Sequence, residues 1–264
     1  MTNKQFYFLS GLPRSGSTLL SNILAQNQRH YCTHTSGCLD LLFFIRNQWH
    51  QIVEHKAHPN DLALMEVLKS TLTAYYKHVD KEVIFDKSRN WMQYIPLIEG
   101  ILGQKVKMLI MNRSVPDILA SVEKLHQKTS ATRQPPGEAE HFLQMQTLAG
   151  RCEVWFSQTS FLGLAYSRLV DVIRAYPDRL HFVNFDELTT NPQQTIDKIY
   201  DFLGEKRFSH DFNHVEQVTC EDDTLHGFVG LHNIRNKVEP VVSDSRRILG
   251  DELYFKYKPF DIVI

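Results

Sequence analysis

The stretch Gly11-Leu12-Pro13-Arg14-Ser15-Gly16-Ser17-Thr18 gathers two glycines, a guanidinium and three hydroxyls. Residues of these types at this spacing can bind an oxyanion. Gly11 and Gly16 let the backbone curl tightly and approach a ligand closely. Ser15, Ser17 and Thr18 offer hydroxyl donors, and Arg14 a planar cation that can fork onto a phosphate or sulfate. Further cations stand in polar stretches downstream: Lys87 in Asp86-Lys87-Ser88-Arg89-Asn90, Arg113 eight positions before Ser121, and Arg235 and Lys237 at the end of a glycine-flanked loop that starts at Gly227.

The elements that must position these groups follow from hydrophobic periodicity. Phe6-Tyr7-Phe8-Leu9-Ser10 reads as a buried strand, and Leu19, Leu20, Ile23 and Leu24 recur at helical spacing. The loop therefore joins a strand to a helix whose first N–H groups lack internal partners and favour an anion. Val83 to Phe85, Val106 to Met111 and His181 to Phe185 read as further strands, and His30 to Gly37 as a short strand leaving into a loop. Helices are predicted over 39–53, 62–79, 91–102, from a Ser114 cap through Leu125, over 138–175 with a break near 157–160, and over 192–203. From about Phe208 the chain reads as irregular and polar. Alternating strands and helices specify an α/β fold with a parallel sheet flanked by helices, a single domain over 1–264. Ligands of such sheets sit at the C-terminal edge of the strands. Arg14, Lys87, Arg113 and Asp186 each follow a predicted strand, so one site can hold them all.

The loop nearly has the spacing of the nucleoside-triphosphatase loop, but Ser17 stands where that loop has its lysine, which makes it a poor ATP or GTP loop. Pro13 to Thr18 resembles instead the 5′-phosphosulfate loop of sulfotransferases that use 3′-phosphoadenosine-5′-phosphosulfate (PAPS), closest to the bacterial, carbohydrate and tyrosylprotein branches. The resemblance implies a P-loop nucleoside-triphosphate-hydrolase-like sulfotransferase fold, with Arg14, Ser15, Gly16, Ser17 and Thr18 on the 5′-phosphosulfate. Arg113 and Ser121, a strand-end arginine and a helix serine, look like the family's 3′-phosphate motif, and Arg235 and Lys237 would close over that phosphate. Phe182 to Pro192 is similar to a third family segment, with Phe185 replacing a tyrosine and losing its hydroxyl contact.

Lys87 resembles the lysine that follows a strand in tyrosylprotein sulfotransferases. With Arg14 it would neutralise charge developing on the leaving phosphate. The implied reaction moves a sulfuryl group in line from PAPS to a hydroxyl or amine of a small-molecule, glycan or peptide acceptor and releases PAP, with no metal required. Two other readings share the loop. A P-loop small-molecule kinase would need Mg²⁺ and a loop lysine. A non-catalytic nucleotide-binding module would keep Arg113 and Ser121 but need neither Lys87 nor a base.

A hydroxyl acceptor needs a general base titrating near neutrality. His34, among Thr33, Thr35 and Ser36, is the candidate, and a histidine suits the role. Asp40 is the runner-up, although it also suits a helix start, and His126 is a further alternative.

Composition sets the remaining bounds. The chain has 264 residues, 42% hydrophobic, enough for one sizeable core. Lys+Arg 29 against Asp+Glu 30 leaves a net charge of -1, which is no nucleic-acid footprint. Cys32, Cys38, Cys152 and Cys220 form no close metal pair and read as reduced thiols. Phe6 to Leu9 is too short for a signal-peptide core, and no run approaches the ~20 apolar residues of a transmembrane helix. The expected setting is the cytoplasm. Lys128 to Gly137, with two prolines, is either a solvated connector or a substrate-gating loop.

Overall fold

The computed structural model describes residues 4–137 and 139–263. Five strands form one sheet: β1 (Gln5–Gly11), β2 (His30–Thr35), β3 (Val83–Lys87), β4 (Met108–Asn112) and β5 (Leu180–Asn184). All pairings are parallel, in the order β2-β3-β1-β4-β5. The period of two along each strand divides the core into two layers. Phe6 and Phe8 of β1, with Met108 and Ile110 of β4, face helices Cys38–Trp49, Asp61–Tyr75, Ile95–Leu102, Val115–Ser130 and Phe161–Ala175. Tyr7, Leu9, Leu109 and Met111 face the other way, onto α1 (Ser17–Leu24) and the Pro192–Leu203 helix. Among the described residues no helix is long and apolar enough to cross a membrane.

Local chemistry sets the element ends. Asn60 caps the Asp61–Tyr75 helix by accepting from the Ala63 N–H at 3.0 Å. Gly204, at φ 74°, ends the helix that Pro192 opens. Ser114 occupies the cap position before Val115, but its hydroxyl makes no capping bond. The predicted 138–175 helix is three pieces, Phe142–Met145, Leu148–Phe156 and Phe161–Ala175, the last two parted at the predicted break and the first two at an unpredicted one; Glu138 lies outside the described residues. The region expected to be irregular contains a helix, Ser245–Tyr257, packed on Val115–Ser130. Its buried residues Leu249, Leu253 and Tyr257 recur every fourth position, but Gly250 (φ 73°) interrupts it and its sequence is polar.

The second core layer carries a pH-dependent stability. His30 and His210 are buried on either side of Tyr200: the His30 ring stacks on it, and Tyr200 Oη lies 3.0 Å from His210 Nε2. Burial lowers both imidazoles from 6.5 to about 4. Between these values the unfolded chain binds up to two more protons than the folded one, about one per histidine, so stability falls as pH falls through that window. Thermal unfolding from pH 7 to 4 should show this loss, and His210→Gln should flatten its slope. A slope unchanged by that substitution would place the titration elsewhere.

Candidate active site

Strand register brings the functional side chains to one edge. Gly11 pairs with Met111 and Asn112 with Asn184, while Lys87 pairs with Leu9 and Thr35, so all five strands end at the same edge of the sheet, β2 and β3 about two residues short of β1. The chain leaves β1 for one side of the sheet and reaches β4 and β5 on the other, so the loops after β1 and β4 border a crevice. A cleft of about 710 Å³ lies there, lined by Arg14, Gly16, Ser17, Thr18, Lys87, Arg113 and Ser121, among others.

The first loop is held open by backbone geometry. Gly11 sits at φ 124°, and a Cβ there would lie 2.2 Å from the Met111 carbonyl oxygen. Gly16 sits at φ 93°, and a Cβ there would lie 2.5 Å from the Phe185 ring. Gly16 also occupies the cap position of α1, and no side chain caps that helix. The first N–H groups of α1 are thereby left for a ligand, with Ser17 and Thr18 lining the cleft beside them. Ser15 departs from expectation. Its hydroxyl turns inward, donates to the Leu12 carbonyl and does not line the cleft, so the side chain braces the loop rather than facing an anion.

Arg14 takes a left-handed backbone (φ 57°), which is uncommon for a residue with a side chain. This turn carries its guanidinium across the cleft, where Nε donates to Ser121 Oγ at 3.1 Å and a terminal nitrogen donates to the Leu231 carbonyl. Burial, with help from the Arg113 charge, lowers its pKa to about 10, against the pull of Asp223. Arg113 stacks over the Phe185 ring at 4.3 Å and donates to the Arg14 carbonyl at 3.3 Å. Its Nε is buried with no hydrogen-bond partner among the described residues. Burial depresses its pKa too, opposed by Asp117, Asp186 and Asp244. Phe185, which begins a short helix after β5, thus supports both Gly16 and Arg113. Asp186 lies behind Arg113 as one of its counter-charges.

Lys87 ends β3. Its ammonium lies 3.1 Å from Glu221 Oε1 and 3.4 Å from Thr18 Oγ1. Both members of the Lys87–Glu221 pair are buried, each side chain 6% exposed. Burial lowers the lysine pKa, and Glu221 opposes that shift. Burial would by itself raise Glu221, but Lys87, the Thr35 N–H and His232 outweigh it and hold the carboxyl at about 2. Glu221 also stands 3.3 Å from His226 Nε2 and 3.7 Å from His232 Nε2. These three residues offer ligand atoms within 4.8 Å of one another. The ammonium already balances the carboxylate, so the cluster reads as an ion-paired hydrogen-bond network. Asp86 is fully buried and takes hydrogen bonds from Tyr76, Trp91 and Ser36. It holds the end of β3 in place.

The expected base is not brought to the cleft. His34 is exposed, its Nδ1 lies 2.8 Å from the Thr35 carbonyl oxygen, and Thr35 rather than His34 lines the cleft. The physical reason is a register irregularity between Cys32 and Thr35 at the end of β2, which breaks the alternation of sides there. Asp40 is exposed and His126 is buried against Trp155; neither lines the cleft. Arg235 and Lys237 are exposed at the cleft wall, Arg235 standing 3.7 Å from Glu239. The 128–137 segment is partly helix, since Val115–Ser130 includes Lys128. Beyond it, Arg133 donates to the Thr224 carbonyl at 3.1 Å and Pro136 packs on Gly227, so the segment braces the 221–232 loop. That loop's acids and histidines were missed in the sequence; Glu221 meets Lys87 across 134 positions, and no spacing signals such a pair.

A glycine-bordered turn from the first strand into a helix N-terminus, with three cations converging on it from a parallel sheet's edge, defines a P-loop-like α/β fold whose turn has the form of an anion site. The sequence pattern of the sulfotransferase family matches residues 7–209, and the chain belongs to that family. Among solved structures, mouse sulfotransferase SULT7A1 complexed with PAP aligns with a TM-score of 0.55 at 12% identity, covering 97% of this chain and 83% of its own. The sulfotransferase domain of the Synechococcus PCC 7002 olefin synthase aligns at 0.50 with 18% identity, over 86% and 84% of the two chains. A sulfotransferase from Alicyclobacillus acidocaldarius aligns at 0.50 with 15% identity, over 85% and 89%. At these identities the likeness is one of fold. No curated protein matches the chain in sequence.

Proposed function

We propose that the protein is a cytoplasmic enzyme that transfers the sulfuryl group of PAPS to a hydroxyl or amine of a small-molecule, glycan or peptide acceptor and releases PAP. The observation that carries this reading is the convergence of two half-buried guanidiniums, Arg14 and Arg113, with the open N-terminus of α1; burial and, after it, the Arg113 charge depress the Arg14 pKa. Such an arrangement favours an anionic ligand with more than one charged group. The α1 amides, Gly16, Ser17, Thr18 and Arg14 hold the 5′-phosphosulfate, with Ser15 supporting them through its bond to Leu12. Arg113 and Ser121 hold the 3′-phosphate, and Arg235 and Lys237 close over it. Arg113 is oriented for this by Phe185, and its unpartnered Nε supplies a donor. Lys87 and Arg14 stabilise the charge that grows on the leaving 5′-phosphate. The cations of the site supply that charge without a metal ion.

Thermal-shift measurements with PAP, PAPS, ATP and GTP, each with and without Mg²⁺, test the reading. PAP and PAPS should raise Tm equally in both conditions. Stabilisation by ATP with Mg²⁺ and none by PAP would transfer the protein to the kinase reading. Arg113→Ala should weaken PAP by about 10- to 150-fold, the equivalent of ~1.5–3 kcal/mol for a charge-assisted contact, and leave adenosine 5′-phosphosulfate, which lacks the 3′-phosphate, nearly unaffected. Equal losses for both ligands would make Arg113 a structural residue.

A further inference from the structure

The 221–232 loop carries an acid–histidine pair into the cleft wall beside Lys87. His232 Nδ1 lies 2.6 Å from Asp223 Oδ1, and the His232 N–H donates to Asp223 Oδ2 at 3.1 Å. One carboxylate thus fixes both the main chain and the ring. A hydrogen bond from Nδ1 to a carboxylate sets the tautomer, with the lone pair on Nε2. That nitrogen stands 3.7 Å from Glu221 Oε1, beyond hydrogen-bond distance. From Glu221 the contacts run to Lys87 and then to Thr18 at the start of α1. His232 therefore lines the cleft two side chains from the anion loop, next to the cation expected at the leaving group.

We infer that His232, oriented by Asp223, is the general base that takes the acceptor's proton. The inference rests on the sulfotransferase reading above. As the acceptor oxygen or nitrogen bonds to sulfur, its proton passes to His232 Nε2. The bond from sulfur to the bridging oxygen breaks, and its electron pair leaves on the 5′-phosphate of PAP, facing Arg14 and Lys87. The imidazolium formed is then balanced by Asp223 and Glu221. The groups facing His232 are Asp223, Glu221, Lys87 and the His226 ring at 5.4 Å. Burial keeps the imidazole pKa below its ordinary value against the pull of Asp223 and Glu221, so the ring is neutral and able to accept at pH 7. Glu221 is a weaker choice. Its Oε1 already accepts from the Thr35 N–H, the Thr35 hydroxyl and Lys87, and a carboxyl held at about 2 is a poor base. His226 is 44% exposed and its Nε2 is turned to Glu221.

Two measurements on the full chain test this. Long-range ¹⁵N–¹H spectra at pH 7.5 should show His232 neutral with its proton on Nδ1, and Asp223→Asn should redistribute that proton. PAP release from PAPS, with phenol or water as acceptor, should fall at least ~100-fold in His232→Gln, with PAP affinity kept within about twofold. Its dependence on imidazole protonation should vanish in the same variant. A proton on Nε2 in the wild type, or near-normal turnover in His232→Gln, overturns the assignment. Loss of wild-type turnover on chelation, with recovery on Zn²⁺, overturns it in favour of a metal centre at Glu221, His226 and His232. If the wild type binds no PAP, the sulfotransferase reading itself fails and the assignment falls with it. PAP binding with turnover kept in His232→Gln removes the assignment alone.

Discussion

Replacing Lys87 by methionine should lower turnover by about 10²–10³-fold while PAP affinity changes by less than about tenfold. The asymmetry follows from where charge appears. In the proposed reading PAP and PAPS would also meet the α1 amides, Arg14 and Arg113, whereas the leaving oxygen gains its charge only during transfer, and a fixed cation contributes most at that moment. Lys87 is also the buried counter-charge of Glu221. Removing one member of a buried pair leaves the other uncompensated and typically costs ~3–5 kcal/mol. Lys87→Met with Glu221→Gln is therefore the control that restores folding without restoring the cation. Steady-state kinetics beside direct PAP titration separate the two effects. A large rise in the PAP dissociation constant with turnover unchanged would make Lys87 a ground-state binding residue.

The second large effect is on folding. Gly11→Ala should destabilise the protein by about 3 kcal/mol or more. The new Cβ would lie 2.2 Å from the carbonyl oxygen and 2.6 Å from the nitrogen of Met111, both backbone atoms of the neighbouring strand. A flexible side chain could swing away, but here β1 and β4 would have to part. Overpacking of this kind costs ~1–3 kcal/mol, and the left-handed φ adds ~1–3 kcal/mol for any residue with a Cβ. Urea unfolding of the variant measures this directly. The comparison is Gly103→Ala, where the backbone is also left-handed (φ 68°) but a Cβ meets nothing within 4 Å. Gly103→Ala should show only the backbone part of the loss; equal losses in the two variants would remove the steric argument.

The parts of the site that the sequence made legible are those built from neighbours along the chain. The turn after β1, the helix start at Ser17 and the strand-end arginine at Arg113 are each set within a few residues by glycine freedom, apolar periodicity and helix-terminus polarity. Alternation of strands and helices then fixed the class of sheet, and with it the edge where cations must gather. Other features escaped local reading. Ser15 reads as a ligand donor, but in the fold its hydroxyl donates to the Leu12 carbonyl and does not line the cleft. His34 had suitable chemistry and neighbours, but the irregular end of β2 presents Thr35 to the cleft instead.

What the sequence by itself determined is the glycine-bordered turn after β1, the α/β order and the family, because each depends on short-range geometry or on residue types in a fixed local pattern. Tertiary structure decided how the cations are paired and which histidine enters the cleft. Lys87 meets Glu221, and His232 reaches the same wall, only because the 221–232 loop folds back over the strand ends and is braced there by Pro136 and Arg133. Contacts of that sequence separation are set by the packing of whole elements. No periodicity or spacing along the chain encodes them, whereas burial and charge balance in the folded protein do.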